Sequence, residues 1–228
     1  MVWKRQGQGN HSGNDGERGE SRDARRGYHH GNLREALVAA ALDLIASKGP
    51  AGFTFAEAAR QAGVSPAAPY RHYKDREALL ADVAERGFIA FEQRLAAAWG
   101  NGSGGPAAAL RRMGQAYLDF AATEPAQYSA MFESGICIAD YPKLHAASER
   151  AFAQLRMACD AIVAELPFGQ RPPAQMMALH IWSLSHGIAS LFARGDAARR
   201  PLPMSPGDLL EAGVLVYLDG LGLLKSKG

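Results

Sequence analysis

The chain has almost no cysteine. Cys137 and Cys159 are the only two in 228 residues, too few for a disulfide scaffold or a four-cysteine zinc site, and both read as free thiols of a core. Long apolar runs are also missing. No stretch approaches a membrane span, and the opening Met-Val-Trp-Lys-Arg-Gln-Gly-Gln-Gly-Asn lacks the apolar centre of a secretion signal. A cytoplasmic protein without a membrane partner is expected. Catalytic signatures are lacking as well: there is no nucleophile elbow, phosphate-cradling glycine loop or zinc-binding helix motif. His186 can be grouped with Ser183, Ser185 or Asp160, but without an elbow it reads as a pocket or core histidine. His180 and His186 are six residues apart and point away from one shared helix face, while the neighbours His29 and His30 have no further ligands beside them. No catalytic residue, metal or cofactor is expected, and the chain does not read as an enzyme.

Charge of one sign is scarce too. A net charge of +2 on a chain that is 47% hydrophobic does not by itself point to nucleic acid, but its distribution is uneven. Residues 1–76 hold 12 Lys+Arg against 8 Asp+Glu, and the remainder holds 13 against 15. The first third is therefore the end that attracts phosphate. Residues 1–27, rich in Gly, Arg, Asn, Ser and Glu, have almost nothing to bury and read as a disordered basic tail. Arg22, Arg25 and Arg26 stand at its end, where a basic arm reaches a minor groove or a phosphate.

What is present is a succession of helix signals. Asn32 is placed to cap a first helix whose apolar residues Leu33, Ala36, Leu37, Ala40, Leu44 and Ile45 keep the helical period. Gly49-Pro50 ends it. Thr54, with Glu57 three residues on, forms a capping box for a short helix, and Gly63 supplies the left-handed residue that stops it. Ser65 and Pro66 then read as the cap and first residue of a second short helix. A helix, a glycine-containing turn and a helix make the layout in which the second helix enters the major groove. That second helix carries Ala67, Ala68, Tyr70, Arg71, His72 and Lys74, with Tyr73 turned inward. Asp75 caps a third helix running to Trp99, about 36 Å for roughly 24 residues.

Ala-Gly-Val-Ser at 62–65, Tyr-Arg-His-Tyr at 70–73 and Asp-Arg-Glu-Ala-Leu-Leu at 75–80, at this spacing, resemble the DNA-binding domain of TetR-type regulators. The aromatic-His-His-Gly entry at 28–31 and Trp182-Ser-Leu-Ser-His-Gly187 are similar to one subgroup with a Trp-x-x-x-His-Gly C-terminal domain. Two positions depart from the family pattern, which often has Gly at Ala67 and a branched aliphatic residue at Pro69. The resemblance implies DNA contacts from Arg26, Thr54, Ser65, Pro66, Ala67, Ala68, Tyr70, Arg71, His72 and Lys74. Arg71 suits a guanine edge and the small apolar groups suit thymine methyls, while Tyr70, His72 and Lys74 suit phosphates.

Beyond Trp99, Asn101-Gly-Ser-Gly-Gly105 is a break and Pro106 and Pro125 each open a helix. Residues 134–139 read as a buried connector, followed by a long helix from about Tyr141 to Leu166. The last two helices follow Pro172-Pro173 and Ser205-Pro206. They are apolar on more than one face, which calls for a second copy of the chain as partner.

The expected fold is all-α: a helix-turn-helix domain of three helices at 28–76, then a helical bundle at 77–228 for ligand binding and dimerisation. Its aromatic and apolar residues Phe88, Phe91, Tyr117, Phe120, Met131, Phe132 and Trp182, with Tyr128 and His186 as sparse polar groups, suit a small, mostly apolar effector. The expected partners are double-stranded operator DNA, a second copy of the chain and that effector, as for a repressor. The alternative is a helical ligand-binding or protein-interaction module without DNA-binding activity.

Overall fold

The computed structural model describes residues 20–193 and 203–223, with side chains from 33 to 192 and from 203 to 223. Its regular structure among the described residues is entirely helical. The helices are α1 (Glu20–Lys48), α2 (Phe55–Gln61), α3 (Arg76–Trp99), α4 (Pro106–Thr123), α5 (Pro125–Phe132), α6 (Pro142–Ala164), α7 (Ala174–Ala193) and α8 (Pro206–Gly220). The all-α expectation holds.

Most helix ends fall where the capping signals put them. The Thr54 hydroxyl accepts from the Glu57 backbone N–H while Glu57 reaches back to the Thr54 N–H, completing the capping box of α2. Gly63, at φ +71°, stops it in a conformation that a Cβ would strain. Asp75 accepts from Ala78 N–H at 2.8 Å at the head of α3, and Ser205 accepts from Asp208 N–H at the head of α8.

Three expectations need correction. First, α1 begins at Glu20 rather than at Asn32, so residues 20–27 are helical and not part of a disordered tail. A helix already nucleated by its packed half extends through Glu, Ala and Arg without needing an apolar face there. Residues 1–19 lie outside the described residues, as do the side chains of Arg22, Arg25, Arg26, His29 and His30. Second, no α-helix starts at Ser65. The chain turns through 66–68 and forms only a short 3-10 helix, Pro69–Arg71. Pro69 has no N–H to close the first α-turn onto Ser65, and Arg71 bonds back to Ala68 and His72 to Pro69, each three residues away. Third, residues 134–139 are half-exposed to exposed, and Cys137 is exposed. Cys159 is the buried thiol, pushed up to about 12 by desolvation and the neighbouring Asp160 carboxylate.

The core is organised around α3. Its residues Leu79, Leu80, Val83, Phe88, Phe91 and Leu95 are buried on several faces, because α1, α4, α5 and α6 all pack on it. Gly87 allows a close approach: a Cβ there would stand 2.7 Å from Met131 Sδ, so α5 fits into a notch in α3.

A buried acid joins the first half of the molecule. Asp82 on α3 is 7% exposed. Its carboxylate accepts from Arg34 Nε and Nη2 at 3.0 Å each, from Arg86 Nε at 3.3 Å and from the Tyr73 hydroxyl at 2.5 Å. Arg86 in turn forks onto Glu35 of α1 at 2.6 and 2.8 Å. Burial opposes ionisation of Asp82, but the Tyr73 hydroxyl and the two guanidinium groups outweigh it and hold the carboxyl below its ordinary value. Asp82→Ala should lower stability by about 1–3 kcal/mol at neutral pH, since it leaves the buried Tyr73 hydroxyl and the half-exposed Arg34 without their acceptor, while Arg86 keeps Glu35. A depressed folded-state value means that this contribution is complete above the unfolded value and lost as pH falls through the folded one. Urea midpoints of wild type and variant should therefore converge as the pH drops below about 4.

Candidate functional site

Two regions collect the residues singled out by sequence. One is the turn and 3-10 helix between α2 and α3. Here Ser65, Pro66, Ala67, Tyr70, Arg71, His72 and Lys74 are exposed, Ala68 is half-buried, and Thr54 is exposed at the head of α2. Pro69 and Tyr73 face inward. Tyr70 is 63% exposed, yet its ring meets Phe55 edge-on at 5.0 Å, which fixes the direction of its hydroxyl. Arg71 makes no ion pair or hydrogen bond among the described residues. Lys74 has only the solvated Asp75 carboxylate at 3.5 Å, an exposed pair worth little. The segment is thus a cationic and aromatic surface anchored by Pro69, Tyr73 and the Asp82 network beneath it. Arg26 lies on α1, and its side chain is outside the described residues.

The second region is a cavity of about 400 Å³ bounded by α3, α4, α6 and α7 and by the end of α5, within the range of about 300–1,000 Å³ of small-molecule sites. Phe88, Phe91, Tyr117, Phe132 and Trp182, five of the nine residues singled out for an effector, line it. The other four expected residues do not. Phe120 is fully buried in the core under the guanidinium of Arg94, and Met131 fills the notch at Gly87. Tyr128 and His186 are held by each other: His186 Nδ1 lies 2.7 Å from the Tyr128 hydroxyl and 3.1 Å from that of Tyr117. Phe132 and Trp182 pack around the same imidazole. This cluster backs the cavity wall through Tyr117, whose own hydroxyl is pushed well above the usual phenol range, chiefly by burial.

Sequence reasoning missed the polar part of the lining. Ser148, Glu149 and Arg156 come from α6 and Gln175 from α7. Ser148, Glu149, Phe152 and Arg156 recur at three, four and seven residues, a helix-face pattern legible in sequence, but nothing there says which face meets a cavity. A smaller cavity of about 210 Å³ lies between α4 and α8 and shares the wall residues Leu110, Gly114, Ile181 and Ser185. The Ser185 hydroxyl donates to the Ile181 carbonyl at 2.9 Å, so it is not poised as a nucleophile for His186. Among the described residues no group of His, Cys, Asp and Glu is placed to hold a metal ion.

Residues 37–83 match the family described as bacterial regulatory proteins, tetR family, and residues 110–217 match the tetracyclin repressor-like C-terminal domain. Together these spans take in more than half of the chain. No curated protein matches in sequence. Among solved structures, a protein of unknown function from Rhodococcus sp. RHA1 superposes with a TM-score of 0.71 at 27% identity, covering 85% of this chain and 97% of that one. The TetR family transcriptional regulator PfmR from Thermus thermophilus superposes with a TM-score of 0.60 at 19% identity, covering 81% and 96%. A tetR-family bacterial regulatory protein from Rhodococcus RHA1 gives 0.63 at 20% identity, covering 84% and 96%. The last two likenesses bear on the fold alone.

The cavity separates two aromatic residues that sequence treats alike. Phe120→Ala should cost about 3–5 kcal/mol of stability, because it opens a void in a packed core, and urea unfolding measures it. Trp182→Ala, at a half-buried position on the cavity wall, should cost less and enlarge the site. Equal losses for the two variants would contradict this division of core from lining.

Proposed function

The chain belongs to the TetR family of bacterial regulators, and from that premise we propose that it is a transcriptional repressor released from operator DNA by a small, largely apolar effector. One observation carries the reading. A single helix, α3, has its capped start against the exposed cationic segment, while Phe88, Phe91 and Leu95 along its length line the cavity. Tyr73 at the end of that segment bonds to Asp82 on the same helix. A ligand that favours one tilt of α3 moves the DNA-reading surface with it, and by linkage DNA weakens the ligand by the same factor. Residues 28–76 act as the DNA-reading unit and 77–228 as the regulatory unit, with α3 crossing between them.

Arg71 is the proposed base reader, and Tyr70, His72 and Lys74 the phosphate contacts. Pro66, Ala67 and Ala68 offer small apolar surface to thymine methyls. The short 3-10 geometry narrows the surface that reaches the groove, which makes a two-fold arrangement of two such surfaces more important for specificity.

The proposed partner face is the outer side of α7 and α8. Leu179, Ser183, Gly187 and Leu191 are exposed along one stripe of α7, and Ala212, Val216 and Gly220 along α8, with Val216 74% exposed. A Cβ on Gly187 would meet nothing within 4 Å. Gly213, by contrast, is occupied within the chain: a Cβ there would stand 2.8 Å from Leu184 Cδ2. It permits the close packing of α8 on α7 and does not test a contact between copies. No helix among the described residues is long and apolar enough to cross a membrane, in keeping with the proposed work on DNA in the cytoplasm.

Two measurements test the proposal. In operator-binding titrations, Arg71→Ala should lose about 1–3 kcal/mol and relax preference at one base pair of each half-site. Lys74→Ala should weaken specific and non-specific DNA alike and flatten the salt dependence. An unchanged affinity and preference for Arg71→Ala would overturn Arg71 as the base reader, whereas a wild type with no preference for any DNA sequence would favour a module that does not read DNA. Separately, Val216→Arg should sediment as a monomer of unchanged helicity and lose tight binding to a palindromic site. A monomeric wild type that binds such a site tightly would rule out the two-fold arrangement.

A further inference from the structure

Nearly every arginine in the described part of the molecule has a partner. Arg34, Arg86, Arg94, Arg111 and Arg150 pair with carboxylates. Arg112 and Arg171 donate to carbonyls, as does Arg76 to Pro50, and Arg60 lies 4.0 Å from Glu57. Only Arg71 and Arg156 have no hydrogen-bond or ion-pair partner among the described residues. Arg71 stands on the proposed DNA-reading surface. Arg156 stands on the other proposed binding site, in the lining of the cavity.

The cavity is polarised. Its floor, from α3 and α4, is fully buried and apolar, with Phe91, Leu110 and Met113 at most 4% exposed. Its mouth lies between α6 and α7, where Glu149, Arg156, Gln175 and Leu179 are exposed. From Ser148 to Arg156 the lining face of α6 runs roughly 12 Å. A guanidinium at the rim of such a cavity presents a planar fork of donors, the geometry that matches a carboxylate in a bidentate pair. Glu149 shares the rim two helical turns away. Unpaired acids are common on this protein, as at Glu85, Asp160 and Glu165, none of which makes an ion pair, so a free Glu149 singles out nothing. A free arginine does.

We propose that the ligand of this cavity is an amphipathic carboxylic acid, with its apolar body over Phe91, Leu110 and Met113 and its carboxylate held by Arg156 at the mouth. This rests on the reading of the cavity as the effector site and adds the chemical class and the anchoring residue. Glu149 repels the same head group, so the acid is directed to the Arg156 end of the rim.

The test uses three probes of one chain length, decanoate, decanol and decylamine, titrated calorimetrically into the full-length protein below their aggregation limits. Decanoate should bind wild type about three- to tenfold tighter than decanol, the upper range for a bidentate pair at an exposed rim. Arg156→Gln should bring decanoate down to the level of decanol and leave decanol unchanged, and Arg156→Lys should restore part of the difference. Arg156 is exposed and unpaired, so these variants should keep the wild-type fold. Decanol binding as tightly as decanoate would overturn the acid head group while leaving the cavity as a ligand site. Decylamine binding tightest, with the preference lost in Glu149→Gln, would assign the opposite charge to the ligand and overturn the proposal. Failure of all three to bind would remove the cavity reading together with it.

Discussion

The Asp82 carboxylate is the interaction on which the proposed DNA-reading half depends. Without it, α1 would meet α3 through apolar contacts and the more exposed Arg86–Glu35 pair, and Tyr73 would lose its bond to α3. Apolar contacts fix distance better than direction. One buried acid receives a fork from Arg34 on α1, a hydroxyl from Tyr73 at the end of the exposed segment and a third donor from Arg86 one turn along α3. Each donor has its own required angle, so the three elements are set in one relative orientation. A buried charge costs much unless it is fully paired. Here every partner comes from an element whose position matters to the surface above it.

That constraint gives the exposed segment its character. With two prolines in four residues it has few backbone hydrogen bonds of its own, and a short 3-10 turn would be a poor platform in isolation. Tyr73 below, Pro69 in the core and the edge-on contact of Tyr70 with Phe55 supply the rigidity that an α-helix would have supplied from within. The same helix that holds Asp82 reaches, two turns later, the aromatic floor of the cavity. Free cationic groups then stand at the two ends of one mechanical element, Arg71 outside its capped start and Arg156 across the cavity it helps to line.

Much of this was legible in the residues. Thr54 with Glu57, Gly63, Asp75 and Ser205 each act within four residues of themselves, so their capping is visible without tertiary information. The breaks at residues 101–105, Pro106 and Pro125 are local in the same sense. Pro69 was visible as a departure, and its consequence, a turn and 3-10 helix in place of the expected α-helix, follows from the missing N–H. The start of α1 was not legible, because a polar run that can extend a helix looks like a polar tail until the packed half that nucleates it is known.

The sequence by itself determined most of the helices, their caps, the family and the identity of the segment that carries Tyr70, Arg71, His72 and Lys74, because those depend on neighbours along the chain. Only the tertiary structure decided that Asp82 is the acid joining α1 to α3, and that Phe120 is core while Trp182 is lining. It likewise decided that Gly213 packs on Leu184 of its own chain, and that His186 is tied to Tyr117 and Tyr128. It also decided that Arg156 is left without a partner at the mouth of an apolar cavity. Each of these concerns two surfaces tens of residues apart. A helical period says that a face is apolar or charged, but not which other face comes to meet it.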